Sequence, residues 1–135
     1  MAADSIQAIR TQAAPAPVGP YSQAVVAGDF VFLSGQIPLD PATGQLVTGT
    51  VEQQTERIMA NHQAVLAGAG LGFGDVVKTT LFLKDMGDFA RVNAVYAKSF
   101  GECPPARSTV EVSRLPKDVS VEIEMVAYRG RTGSR

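Results

Sequence analysis

Apolar and polar residues alternate with a period of two along much of the second half of the chain. In "VSVEIEMVAYR", Val119, Val121, Ile123 and Met125 face one way, while Ser120, Glu122 and Glu124 face the other, which is the pattern of a half-buried strand. "DVVKTTLFLKD" repeats it, with Val77, Thr79, Leu81 and Leu83 set against Val76, Lys78, Thr80 and Phe82. In "ARSTVEVSR", Ser108, Val110 and Val112 oppose Arg107, Thr109 and Glu111. Nearer the N-terminus, "YSQAVVAGDFVFLSG" holds two strand-like runs around Gly28-Asp29, a two-residue hairpin signal. Between Thr50 and about Ala69 the period becomes helical, through Val51, Thr55, Ile58, His62, Val65 and Ala69. Thr50 with Gln53 makes a capping box, Glu52 suits the helix N-terminus, and Gly68, Gly70 and Gly72 supply the stop. A second helix opens at Asp88 as its cap, carries the stripe Phe89, Val92, Tyr96 and Phe100, and ends at Gly101.

The punctuation between these elements is rich in proline and glycine. "AAPAPVGP" reads as an extended approach to the first strand, because its prolines fix φ and remove backbone donors. "IPLDPATGQLV" and "LPKD" read as turns, Pro116 taking the second turn position. The order hairpin, helix, strand, helix, strand, strand predicts a two-layer α+β or α/β sandwich whose two helices cover one face of the sheet. The bare face is expected to carry Lys78, Thr80, Phe82, Arg107, Thr109, Glu111, Glu122 and Glu124, and Phe82 in that polar setting suggests another subunit as cover. Residues 1–135 are expected to form one domain, with 1–12 and 129–135 peripheral or frayed.

Composition narrows the function classes. The chain has 12 basic and 13 acidic residues and a net charge of −1. With the basic residues scattered, neither a phosphate-tracking nucleic-acid surface nor an anionic membrane is an expected partner. Cys103 is the only cysteine and His62 the only histidine, which excludes an internal disulfide and makes a structural metal site implausible. The N-terminus has no apolar run of the signal-peptide kind, and no stretch approaches a membrane span. A cytoplasmic location is the expectation, with no metal and no cofactor.

The segments "APAPVGPYSQAV", "SGQIPLDPATG", "DVVKTTLFLKDMGDFARVNAVY", "PPARSTVEV" and "LPKDVSVEIEMVA", spaced in this order from about Ala13 to Ala127, resemble the RidA family, also called YjgF. The resemblance implies a chorismate-mutase-like α+β fold with a mixed sheet and two helices on one face. It also implies a homotrimer with active sites in clefts between subunits. The family's archetypal members hydrolyse reactive enamines and imines to a 2-oxo acid and ammonia. Here the implied substrates are 2-iminobutanoate and 2-iminopropanoate.

Candidate residues follow from the chemistry and from the resemblance together. A 2-imino acid carries a carboxylate, which the planar fork of an arginine binds bidentately. Arg107 stands just after the rigid Pro104-Pro105 corner; alternation alone leaves it equally a solvated edge-strand arginine, and the resemblance assigns it to the substrate, with the Thr109 backbone N–H beside it. Imine hydrolysis needs water delivered to the C=N carbon, and a carboxylate can orient or deprotonate that water. Spacing does not separate Glu122 from Glu124; the resemblance selects Glu122. Tyr21, after a Gly-Pro corner, is a cleft wall and possible donor, and the resemblance adds Ser34, Gly35 and Asn93 as substrate-binding positions. Cys103 has no histidine near it in sequence to lower its pKa, and His62 falls on an apolar helical stripe. Many relatives carry cysteine at the position of Thr109, which puts thiol-based regulation there in doubt and leaves hydrolysis untouched. Two other readings compete: a non-catalytic binding or chaperone-like trimer, and an RNA-cleaving translation inhibitor.

Overall fold

The structure, a computed structural model, describes residues 6–130. Six strands, β1 (Ile6–Ile9), β2 (Ala24–Ala27), β3 (Phe30–Gln36), β4 (Val76–Leu83), β5 (Ala106–Glu111) and β6 (Val121–Tyr128), form one sheet in the order β1-β2-β3-β6-β4-β5. Only β4 and β5 run parallel, joined by a crossover through the second helix, and every other pair is antiparallel. Helices α1 (Val51–Gly68) and α2 (Phe89–Tyr96) pack on one face of the sheet. Ile58, Val65, Leu66 and Val92 from the helices meet Val31, Leu33, Leu81, Leu83, Ile123 and Met125 from the strands in one buried cluster. The two layers are those expected from the pattern, and the mixed α+β sheet is the one that the resemblance implies. No helix among the described residues is long and apolar enough to cross a membrane.

Local signals account for most boundaries. The Thr50 hydroxyl accepts from the Gln53 N–H at 3.2 Å, and the Gln53 side chain accepts from the Thr50 N–H at 2.8 Å, so the capping box is complete. Gly28 takes φ 61° at the β2–β3 hairpin, and Gly70 takes φ 76° just past α1. Leu39 pairs with Leu46 across the turn after β3, where Asp40 Oδ1 accepts from the Ala42 N–H at 2.7 Å.

Four expectations need correction or refinement. Residues 1–12 and 129–135 were expected to be peripheral or frayed; Ile6–Ile9 are peripheral but paired, as an exposed edge strand on β2, and residues 131–135 lie outside the described residues. A register shift in the β4–β6 ladder between Val76 and Lys78 inverts the start of β4, so Val76 is buried and Val77 exposed. Asp88 makes no side-chain capping bond at α2; Asp85, one turn earlier, accepts from the Gly87 N–H, and Asp88 lies 3.6 Å from Arg91.

The fourth correction concerns the faces of the sheet. Arg107, Thr109 and Glu111 are not on the bare face: their register partners are Thr79, Leu81 and Leu83, all buried under the helices. The bare face carries Lys78, Thr80, Phe82, Glu122 and Glu124 as expected, together with Val110, Phe30, Phe32 and Tyr128. Alternation divides β5 into two sets but does not say which set faces the helices. Val110 lies on the bare face beside Phe82 and is 42% exposed, while Arg107 turns toward α2.

Candidate active site

Arg107 leaves β5 on the helix face and meets α2. Its Nη1 donates to Asn93 Oδ1 at 2.6 Å, and its Cζ lies 5.4 Å from the Phe89 ring centroid and 5.1 Å from that of Tyr96. Phe89, Asn93 and Tyr96 stand at i, i+4 and i+7 on α2, so one helical face presents two aromatic faces and an amide to a single guanidinium. Tyr96 is in turn tied to the sheet, its hydroxyl 2.7 Å from Thr79 Oγ1. Burial raises the Tyr96 phenol above its ordinary pKa, against the opposing pull of the Thr79 bond and the Arg107 charge. Asn93, Tyr96, Phe100, Pro104, Pro105 and Arg107 line a cleft of about 330 Å³.

The sheet edge adds backbone donors. The Val112 N–H donates to the Leu83 carbonyl, and in a parallel ladder alternate residues address the neighbouring strand. Ala106, Ser108 and Val110 therefore turn their N–H and C=O groups to β4, while those of Arg107, Thr109 and Glu111 point outward from the free edge. The Thr109 N–H thus stands on the same edge as the Arg107 fork. The Thr109 hydroxyl oxygen is shielded from solvent and has no hydrogen-bond partner among the described residues.

The second group of residues lies on the other face. Tyr21, Ser34, Gly35, Ile37, Glu122 and Glu124 line a cleft of about 420 Å³. The β3–β6 register shifts between Leu33 and Gln36, which sets Ser34 and Gly35 in a bulge beside Glu122. Gly35 leaves room for the Glu122 side chain in this position: a Cβ here would meet the carboxylate and push it aside. Glu122 is half-buried; burial raises its pKa above the ordinary glutamate value, and the charge of Glu124 raises it further. The Tyr21 hydroxyl accepts from the Val18 N–H at 3.2 Å, which places its ring over the approach loop. Ser34 is already engaged, its hydroxyl donating to the Ser22 carbonyl at 2.6 Å and its N–H to that of Gln23 at 3.0 Å.

The candidate residues thus gather into two groups, Arg107, Asn93 and Thr109 on the helix face, and Tyr21, Ser34, Gly35 and Glu122 on the bare face. Within one copy the sheet separates them.

The family model described as Endoribonuclease L-PSP matches residues 11–129. The 2-iminobutanoate/2-iminopropanoate deaminase of Salmonella typhimurium is 52% identical over 124 residues, covering 90% of this chain and 96% of the relative. The crystal structure of RidA from the Antarctic bacterium Psychrobacter sp. superposes with a TM-score of 0.87 at 44% identity, covering 90% and 98% of the two chains. The chain belongs to the RidA family. A RutC family protein of Pyrococcus horikoshii is 55% identical over 91% of this chain and 98% of its own. E. coli TdcF with bound serine has a TM-score of 0.87 at 46% identity, covering 92% of this chain and 99% of that one. The fold is accordingly the chorismate-mutase-like α+β fold of the RidA proteins.

The sequence reading of this RidA chain missed two supports of the site. Gln23 is buried and clamps the approach segment: its side chain accepts from the Thr11 N–H at 2.8 Å and donates to the carbonyls of Thr11 at 3.0 Å and Pro15 at 2.9 Å. Tyr96 was assigned to an apolar stripe, although its i, i+3 and i+7 spacing from Asn93 and Phe89 already placed it beside them. Cys103 is exposed on the loop before Pro104, and His62 is fully buried, its Nε2 donating to the Ile123 carbonyl.

Proposed function

We propose that this protein hydrolyses 2-imino and enamino acids, 2-iminobutanoate and 2-iminopropanoate among them, to the 2-oxo acid and ammonia. The site is assembled from the Arg107 half of one copy and the Glu122 half of the next, in a homotrimer. The observation that carries this reading is the setting of Arg107: a guanidinium held by Asn93 and two aromatic rings, with an outward-facing N–H two residues along the strand. That arrangement suits a carboxylate lying along the sheet edge. The name of the Salmonella relative and the serine bound to TdcF, an amino acid with the same carboxylate, support it.

The chemistry needs water and a base. Glu122 takes a proton from water as the oxygen attacks the C=N carbon. The nitrogen gains protons, the carbinolamine collapses, and ammonia leaves as the C=O bond forms. The raised pKa of Glu122 brings it closer to neutrality, where a carboxylate both accepts and returns a proton effectively. Tyr21 walls the cleft opposite, and Gly35 gives the carboxylate room. No step calls for a metal or an organic cofactor, so activity is expected to survive dialysis against EDTA.

The family model's description raises RNA cleavage as a second reading. The single histidine is buried and pushed down to a pKa of about 4, so it is not placed to act as an exposed base. The deciding experiment is a coupled assay in which an amino-acid oxidase or dehydratase generates the imine and oxo-acid release is followed. Acceleration on adding this protein is the expected result. An unchanged rate, with cleavage of RNA by the same preparation, would reverse the ranking.

A further inference from the structure

We propose that the buried Thr79–Tyr96 pair is a positioning device for Arg107, fixing the plane in which the guanidinium meets the substrate carboxylate; the inference rests on the functional reading above. Arginine has a long, rotamer-rich side chain, so a bidentate contact is strong only if the fork is held in place beforehand. Asn93 fixes one corner of the fork through Nη1. The plane is set by what the fork lies against, which is the rings of Tyr96 and Phe89.

An aromatic side chain held only at its Cβ can swing its far end about χ1 and tilt its face unless something ties that end. Tyr96 is tied by its hydroxyl, 2.7 Å from Thr79 Oγ1, with Thr79 wholly buried and Tyr96 5% exposed. In so dry a setting the bond is strong and its loss is costly. Thr79 is also the register partner of Arg107 across the β4–β5 ladder. The contacts therefore close a ring: Arg107 to β5, β5 to β4, β4 through Thr79 to Tyr96, and Tyr96 back to the guanidinium. The platform under the arginine is anchored to the same pair of strands that carries the arginine, so the two cannot shift independently. A hydroxyl at residue 79, in the middle of an apolar core, acquires a reason that packing alone does not supply.

The test uses three variants of the full chain, Tyr96→Phe, Thr79→Val and the double variant. Each is measured for imine hydrolysis, for calorimetric affinity toward 2-oxobutanoate, and for its urea midpoint. A purely structural bond predicts that both single variants lose stability through an unpaired buried hydroxyl and that the double variant, apolar on both sides, recovers it. The positioning role predicts in addition that KM and Kd rise about three- to tenfold in Tyr96→Phe, with kcat within about twofold, and remain raised in the double variant after its midpoint has recovered. Affinity that returns with the midpoint, or that never changes, overturns the inference. If the wild type turns over no imine, the deaminase reading falls and the Kd series alone decides; a wild type with no affinity for 2-oxobutanoate overturns both.

Discussion

In the proposed reaction Arg107 and Glu122 divide the work at the residue scale, and their variants should fail in different ways. Arg107→Ala leaves the substrate's carboxylate unpaired, while Arg107→Lys keeps the charge without the planar fork. A charge-assisted bidentate contact of ~2–4 kcal/mol corresponds to roughly 30- to 1000-fold in kcat/KM. Arg107→Ala is thus expected to be nearly inactive, and Arg107→Lys impaired but folded; wild-type kinetics in folded Arg107→Ala would make the arginine structural. Glu122→Gln should lower kcat by on the order of 10²-fold, whereas Glu124→Gln should keep the rate near neutral pH. Because the Glu124 charge helps raise the Glu122 pKa, its removal should move the acid limb of the pH–rate profile downward. An unmoved limb would mean that another group controls it. Gly35→Ala pushes a methyl group into the Glu122 carboxylate, so it should lose activity while keeping a native circular dichroism spectrum. These residues could be picked out as candidates from the sequence with the resemblance to guide the choice. Their opposition across the sheet could not, since the parity of a short edge strand is settled only by its partner's register.

At the scale of elements, α1 is pinned to β6 by His62, whose Nε2 donates to the Ile123 carbonyl at 2.6 Å, next to Glu122. Burial outweighs that bond and lowers the histidine pKa from 6.5 to about 4. An unfolded chain binds a proton at His62 below pH 6.5, and the folded chain does so only near 4. Stability is therefore complete above 6.5 and falls as the pH drops through that window, by about 3 kcal/mol in all. Urea midpoints at pH 7 and pH 4.5 should show the loss, and His62→Gln should flatten it. A second element under strain is the turn before β6, where Lys117 and Asp118 take φ of 56° and 58°. Lys117→Gly should raise stability by about 0.5–1 kcal/mol, read as a higher midpoint at constant m-value. The helices were legible because capping and periodicity are local. Strand β1 and the β4 bulge were not, because four residues carry little pattern and a bulge exists only relative to the strand beside it.

On the scale of the whole molecule, the bare face of the sheet calls for cover. Phe30 is 42% and Phe32 49% exposed, and Phe30 packs at a tilt against Tyr128, ring centroids 5.3 Å apart, which leaves more aromatic surface in the open than the alternation had suggested from Phe82 alone. Phe82 itself is half-buried, packed against the small cluster of Ile37, Leu39, Leu115 and Val119. Light scattering is expected to give about three times the 14.2 kDa chain mass; a monomer at micromolar concentration would remove the shared site. The placement of Arg107 and Glu122 on opposite faces has a consequence for mixtures. Two dead variants, Arg107→Ala and Glu122→Gln, each keep the half that the other has lost. In a head-to-tail ring of three, every mixed assembly contains one cleft with both natural halves, so random reassembly of equal amounts should restore about one quarter of the wild-type rate. The same arithmetic makes neither variant dominant when co-expressed with the natural chain, since each damaged copy spoils only the one cleft to which it would have lent its lost half. No recovery on co-refolding would mean that each copy works alone.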